Sequence, residues 1–280
     1  MAKEHVHDVF ESIAHQYDAA NNRISLGMHS AWKRRLENIA YTACKSAGYW
    51  CNEQAGGKHS AGYAGFARKS SANSAGKHSA SSAEEPRIGL VLDVCCGTGD
   101  ITEHIARKHQ DILVVGLDFS EKMLEVATQR TVNLNNVLLV NGNAMQLPFD
   151  DNTFDAAVIS FGLRNTPDYR AVLQQMKRVT HAGGVVACLD ASVPENKFVR
   201  PFYQFYYKHI MTLLGGGKSL HKQYEWLYES TQGFLSKQDL ANLFENIGLE
   251  QVSFDSFMCG SAALHMGTVP EDDVVLQARC

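Results

Sequence analysis

What this sequence lacks narrows it quickly. It has no Cys-x-x-Cys pair, and its seven cysteines (44, 51, 95, 96, 188, 259 and 280) show no zinc-type spacing, so no metal site is expected. It lacks an excess of basic residues: the formal net charge is -4 and the one tight basic run is Lys33-Arg34-Arg35, which argues against a nucleic-acid partner. No segment approaches the roughly 20 continuous apolar residues of a membrane span. The opening Met-Ala-Lys-Glu-His-Val-His has no apolar stretch of the secretory kind. A cytoplasmic protein with reduced thiols is therefore expected. What is present is core material. At 280 residues and 45% hydrophobic content, the chain can build one large decorated domain or two smaller ones.

Residues 44–86 are rich in Ala, Ser, Gly, Lys and His, and Gly-Lys-His-Ser-Ala occurs there twice, at 57–61 and 76–80. Such a stretch buries too little apolar surface to offset its ordering entropy, so it reads as a flexible insertion. After Pro86, strand-length apolar runs alternate with amphipathic helical stretches: Gly89–Val94, Ile101–His109, Ile112–Leu117, Glu121–Val132, Val137–Val140, Ala156–Phe161, Tyr169–Thr180 and Val185–Leu189. That is the βαβ rhythm of a doubly wound parallel sheet. A helix over Ser236–Asn246, N-capped by Ser236, precedes strands near 251–258 and 261–268. No crossover helix fits between those two strands, so the last should run antiparallel.

In such sheets, ligands bind at the carboxyl ends of the strands near the first βα turn. Here that turn reads Leu92-Asp93-Val94-Cys95-Cys96-Gly97-Thr98-Gly99-Asp100. Adjacent cysteines do not easily share one ion, and a bond between them is strained, so Cys95 and Cys96 read as small fillers of a crowded turn. Gly97 and Gly99 would let backbone approach a ligand closely. The third glycine of a dinucleotide fingerprint is replaced by Thr102, and no complete Gly-x-x-x-x-Gly-Lys-Ser/Thr P-loop exists. Asp118, ending the next strand, can accept two hydrogen bonds from a ribose diol, with Ser120 better placed to cap the following helix. Gly142-Asn143-Ala144 after the third strand can reach an adenine edge. An adenosine without a diphosphate points to S-adenosylmethionine, with Asp93 and Asp100 near its ammonium group.

The stretches VLDVCCGTGDITEHIA, VVGLDFSEKML, NGNAMQLPFDDNTFDAAVISFGLRNTPDYRAVLQQMKRV and AALHMG, with the opening VFESIAHQYDAANNRISLGMHSAWKR, resemble the demethylmenaquinone and ubiquinone-precursor C-methyltransferases. The likeness covers 9–43 and 88–268. Its most specific element is Phe161-Gly162-Leu163-Arg164-Asn165, whereas the glycine loop is shared by most methyltransferases of this fold. The resemblance implies a class I, Rossmann-like S-adenosylmethionine-dependent methyltransferase: α/β, seven mostly parallel strands with the last antiparallel, N-terminal helices and an aromatic lid. It divides the chain into an N-terminal substrate-side segment (1–43), the insertion (44–86), the methyltransferase domain (87–268, lid 195–230) and a tail (269–280). It implies methylation of a ring carbon of a polyprenylated hydroquinone, with Thr98, Asp118, Asn143, Ala144 and Ser160 contacting the cofactor beside Asp93, Gly97 and Gly99. The Gly-Leu-Arg-Asn-Thr-Pro-Asp-Tyr and Cys-Cys-Gly-Thr-Gly-Asp variants lean toward demethylmenaquinol as acceptor, in menaquinone biosynthesis; a ubiquinone precursor is the alternative. The sequence departs from the family in the insertion, in His181-Ala182-Gly183-Gly184 where Lys-Pro-Gly-Gly is common, and in the added tail.

A quinone ring is electrophilic, so the hydroquinone must be the nucleophile, and the site needs a base plus a group that stabilises phenolate. Arg164 and Asn165, at the end of the fourth strand, fit the second task, with Tyr17 and Asp18 closing from the N-terminal segment. Arg164 does not deprotonate. As a purely structural residue it would pair with Asp155 or Asp168. The base stays open among a water held by Arg164, Asp190 and a nearby histidine. The aromatic stretch 198–228 is core material and the best channel for a prenyl tail. Trp32-Lys33-Arg34-Arg35 is a solvated face or a contact for an anionic membrane surface. A lipid substrate implies transient association with the inner face of the cell membrane. A homodimer is compatible with this reading. A nucleotide-binding oxidoreductase is disfavoured by the missing glycine, and a non-catalytic module by the Arg-Asn element.

Overall fold

The computed structural model describes residues 29–47, 88–205 and 230–271. Its elements are α1 (His29–Ser46), β1 (Gly89–Val94), α2 (Asp100–Lys108), β2 (Ile112–Asp118), α3 (Glu121–Thr131), β3 (Val137–Asn141), β4 (Phe154–Ser160), α4 (Tyr169–Val179), β5 (Thr180–Ala191), α5 (Val199–Phe205), α6 (Lys237–Asn246), β6 (Glu250–Phe257) and β7 (Ala262–Thr268). Tyr17 and Asp18, residues 48–86 of the insertion, 206–229 of the lid stretch and 272–280 of the tail lie outside the described residues.

The strands form one seven-stranded sheet in the order β3-β2-β1-β4-β5-β7-β6. Strands β1 to β5 pair in parallel, and β7 runs antiparallel to both β5 and β6, as the short connection between the last two strands requires. Strand order reverses between β1 and β4, which opens a crevice at their carboxyl ends. Alternate residues of each strand feed opposite faces. Val91, Ile112, Val114, Ala156 and Val158 pack with α1 and α2, while Leu92, Val94, Leu113, Val115, Ala157 and Ile159 pack with α4 and α6.

Local chemistry explains the element ends. Ser120 accepts from Met123 N at 3.3 Å and Ser236 from Asp239 N at 3.1 Å, so both expected caps form. Asp168 caps α4 by accepting from Ala171 N at 3.0 Å. Strand β5 begins earlier than the expected Val185 because His181-Ala182-Gly183-Gly184 continues it through an irregularity: Phe154 pairs with Thr180, then Ala156 with Val185. A Cβ on Gly184 would lie 2.6 Å from Thr180 Cγ2 and 2.8 Å from Asp155 O, so the irregularity needs glycine there.

Helix α1 presents Trp32, Leu36, Ala40 and Ala43 as a buried stripe. Its hydrophilic side is also tied down. Lys33 pairs with Asp100, Arg35 Nε donates to Asp255 at 3.0 Å, and the buried Glu37 accepts from Lys108 Nζ at 2.7 Å and contacts His109 Nε2 at 2.6 Å. Burial pushes the Glu37 carboxyl up, but these two partners more than offset it and hold it below its usual range. Within the run Trp32-Lys33-Arg34-Arg35, Trp32 belongs to the core, while Arg34 and Arg35 lie on an exposed, solvated face. Trp32 is only 6% exposed, and two of the three cations are engaged by carboxylates.

Candidate cofactor and substrate site

The loop after β1 is built from left-handed backbone. Cys95 (φ 56), Gly97 (φ 56) and Gly99 (φ 76) all have positive φ, and Gly99 N donates to Cys96 O at 2.9 Å. The two glycines serve different needs. A Cβ on Gly97 would meet nothing within 4 Å, so this residue faces open space at the strand ends. A Cβ on Gly99 would lie 2.9 Å from Ala127 Cβ, so here glycine lets α2 start hard against α3. Thr98 between them is buried.

Two carboxylates shape this loop. Asp118 Oδ2 accepts from Gly97 N at 2.8 Å and Oδ1 from Ser120 N at 2.9 Å, so Asp118 ties the loop to the end of β2. Asp93 Oδ2 accepts from Thr102 Oγ1 at 2.7 Å inside the protein. Burial raises the Asp93 carboxyl to about 7; the Thr102 hydrogen bond works against the rise and the Asp118 charge adds to it. Thr102, which stands where a dinucleotide loop has its third glycine, therefore holds Asp93. Asp100, expected near the ligand's ammonium group, pairs with Lys33 and lies 3.4 Å from Arg130 Nη1. Burial pushes the thiols of Cys95 and Cys96 well above their ordinary range, with Asp118 and Asp93 adding to the shift.

The turn after β3 comes to the same place. Gly142 N donates to Asp118 O at 2.9 Å, Asn143 Oδ1 accepts from Met145 N at 3.0 Å, and Ala144 is buried. The amide oxygen of Asn143 thus shapes its own turn. Arg178 of α4 holds the following segment, donating to Leu147 O at 2.9 Å and Phe149 O at 2.8 Å.

Ser160 ends β4 half-buried, and the chain then turns sharply. Phe161 has φ 54, a conformation that costs a bulky residue about 1–2 kcal/mol. Its N–H donates to Leu189 O at 2.7 Å, and its carbonyl accepts from Arg164 Nη1 at 2.9 Å and Asn165 Nδ2 at 3.2 Å. Arg164, 6% exposed, also donates from Nη1 to Asp190 Oδ1 at 2.5 Å and from its backbone N to Asp190 Oδ2 at 3.1 Å. Its carboxylate partner is therefore Asp190, not Asp155 or Asp168. Asp155 instead accepts from Leu90 N at 2.7 Å and contacts His181 Nε2 at 2.7 Å, and Asp168 is the cap of α4. Asp190 also accepts from Ala191 N at 2.7 Å, so three donors occupy it. Asn165 Oδ1 is buried without a hydrogen-bond partner among the described residues. The Arg-Asn turn touches the glycine loop directly: a Cβ on Gly162 would lie 2.7 Å from Cys95 Cβ.

This donor set fits an S-adenosyl ligand better than a dinucleotide. Asp118, whose carboxylate receives the Gly97 N–H, stands beside the loop, where it suits a diol and would repel a pyrophosphate. The Asp190 pairing, the Phe161 carbonyl and the Thr102 hydroxyl were not recognised from sequence. Only Thr102 had a local signal, a hydroxyl one helical turn past a glycine loop that follows a buried Asp.

Comparison with known proteins agrees. The ubiE/COQ5 methyltransferase family matches residues 1–77 and 68–269. A demethylmenaquinone methyltransferase of Bacillus cereus is 40% identical over 274 residues, covering 96% of this chain and 97% of that protein. One from Staphylococcus epidermidis is 38% identical over 270 residues, covering 95% and 93%. Among solved structures, the [4+2]-cyclase SpnF (TM-score 0.51, 17% identity, 66% of this chain and 76% of that one) shares the fold. So does Haemonchus contortus phosphoethanolamine N-methyltransferase 2 in complex with S-adenosyl-L-methionine (TM-score 0.51, 13% identity, 66% and 49%). With relatives this similar along nearly their whole length, and with the Arg-Asn turn set against the glycine loop, the chain belongs to the ubiE/COQ5 methyltransferase family.

Proposed function

We propose that this methyltransferase converts demethylmenaquinol to menaquinol, methylating a carbon of the reduced ring late in menaquinone biosynthesis. The observation that carries this reading is the buried Arg164–Asn165 turn packed onto the glycine loop through Gly162 and Cys95, in a chain whose relatives bear the name demethylmenaquinone methyltransferase. The methyl donor is S-adenosylmethionine, which supplies a sulfonium-bound methyl that an electron-rich ring carbon displaces in line.

The chain's own residues do the rest. Gly97, Thr98 and Gly99 present backbone to the donor; Asp118 takes its ribose hydroxyls; Asp93 lies toward its cationic end. Asn143 and Ala144 line its adenine side, and Ser160, at the end of β4, contacts it nearer the Arg164 turn. Arg164 stabilises the phenolate that makes the ring carbon nucleophilic. Asn165 Oδ1, buried and without a hydrogen-bond partner among the described residues, is an acceptor for the second ring hydroxyl. Asp190 already receives the Arg164 guanidinium and two backbone N–H groups, which suits a holder of Arg164 better than a base. A water held by Arg164 is the base consistent with this arrangement. Tyr17 and the aromatics of the 195–230 stretch remain the sequence's candidates for the ring and the prenyl tail; Tyr17 and residues 206–229 lie outside the described residues. The protein works at the inner face of the cell membrane, associating with it transiently; no helix among the described residues is long and apolar enough to cross a membrane.

The test is methyl-labelled S-adenosylmethionine offered with reduced demethylmenaquinone and, separately, a reduced ubiquinone precursor. Label in the first supports the reading, label only in the second moves the acceptor to the alternative, and label in neither overturns it.

A further inference from the structure

Residue Phe161 is where several constraints meet. It sits at φ 54, its carbonyl receives both Arg164 Nη1 and Asn165 Nδ2, and its ring lies 5.8 Å from the Arg164 guanidinium carbon. A residue held in left-handed backbone without being glycine persists only where the surroundings over-determine it. Its N–H bond to Leu189 O anchors one side. The other anchor comes from a distant part of the chain: the Trp32 ring of α1 lies 5.8 Å from the Phe161 ring and 6.0 Å from that of Phe257.

We infer that Trp32 is a positioning residue for methyl transfer: by packing on Phe161 it fixes the carbonyl that aims Arg164 and Asn165 at the substrate ring. The inference rests on the role proposed for Arg164, and it concerns geometry alone, since the indole is buried behind Phe161. Helix α1 does not depend on Trp32 to stay docked. Lys33–Asp100, Arg35–Asp255 and Glu37 with Lys108 and His109 hold it along its length, and Leu36, Ala40 and Ala43 bury its apolar stripe. Removing the indole therefore frees Phe161 without detaching the helix. The ring can then rotate into the vacated space, and the carbonyl loses its direction.

Two readouts in the full-length protein test this. Trp32→Ala should lower kcat about tenfold to a hundredfold, the loss expected from misplacing a catalytic group by about 1 Å. Affinity for S-adenosylhomocysteine should be unchanged, and Trp32→Phe should restore most of the rate. Hydrogen exchange should quicken at the amides of Phe161, Arg164 and Asn165, bonded to Leu189 O, Asp190 Oδ2 and Gly162 O, while those of Gly97 and Gly99 keep their protection. Near wild-type kcat in Trp32→Ala overturns the inference. So does a matching loss of cofactor affinity, or exchange that rises equally in both loops, because a merely structural residue would produce either. If Trp32→Ala fails to fold, Trp32→Leu carries the same comparison. If wild-type protein methylates neither quinol, the function reading fails, and the exchange pattern still decides whether Trp32 holds this turn.

Discussion

Thr102 Oγ1 donates to Asp93 Oδ2 at 2.7 Å, across a separation of nine residues that spans the glycine loop. This bond joins the first turn of α2 to β1 beneath the ligand loop. It also stabilises the ionised form of a carboxyl that burial otherwise keeps protonated. A cofactor loop here has a proton-binding group beneath it.

That group gives stability a distinct pH dependence. The folded-state carboxyl titrates at about 7, against 3.8 for an unperturbed group. Below the lower value both states are protonated and nothing changes. As pH rises toward the upper value, the unfolded chain releases a proton that the folded protein keeps, so stability falls; above it the loss is complete. Asp93→Asn should remove this dependence, leaving the variant relatively more stable than wild type at pH 8 than at pH 5, by on the order of a few kcal/mol. Thermal or urea unfolding across that range checks it, and parallel curves would refute it.

Asp190 and Arg164 form a buried pair, and each is costly alone. Arg164→Ala should abolish methyl transfer while retaining cofactor binding. Asp190→Asn should also stop turnover and destabilise the fold by about 3–5 kcal/mol, because it strands a buried guanidinium. Combining Asp190→Asn with Arg164→Met should recover stability but not activity. Unfolding curves and turnover on the three variants separate the two effects. Near-normal turnover by Arg164→Ala would remove Arg164 from the mechanism.

Gly97 and Gly99 should respond differently to alanine. Gly97→Ala meets no protein neighbour, so its stability cost is that of its positive φ, about 1 kcal/mol or a little more, but its Cβ enters the open space assigned to the cofactor and should weaken cofactor affinity. Gly99→Ala adds a contact of 2.9 Å with Ala127 Cβ and should lose considerably more stability as well as cofactor affinity. Adding Ala127→Gly should recover part of that loss. Unfolding midpoints would show this order and S-adenosylhomocysteine titrations the loss of affinity at Gly97; equal stability costs for the two single variants would contradict it.

The thiols of Cys95 and Cys96 should be inert. Burial holds both well above their ordinary titration range, so little thiolate exists near neutrality. Alkylation of folded protein should be slow at both, and a double Cys→Ala variant should keep much of its activity. Loss of all turnover with fold and cofactor binding preserved would give the sulfurs a chemical role.

The alternation of strands and helices was legible because burying both faces of a parallel sheet forces strand-length apolar runs, and crossovers force amphipathic helices between them. The Ser120 and Ser236 caps were legible because capping acts over three residues. The partner of Arg164 was not. Asp155 and Asp168 lie nearer in sequence, but Asp190 lies near the end of the neighbouring strand β5, and parallel pairing brings it beside Arg164 although the two are 26 residues apart in the chain. Trp32 misled for a related reason. Its neighbours Lys33, Arg34 and Arg35 suggested a surface, and both arginines are exposed, yet Trp32 itself begins the buried stripe of α1.

By itself, then, the sequence determined what depends on short range and on residue type: the sheet's rhythm, the helix caps, a glycine loop built for close backbone approach, and the Arg-Asn element that marks the family. Only the tertiary structure decided which carboxylate holds Arg164, that Thr102 donates to Asp93, and that Trp32 of α1 packs against Phe161. Those contacts join residues far apart in the chain, and their energies exist only once the strands have paired and both faces of the sheet are covered.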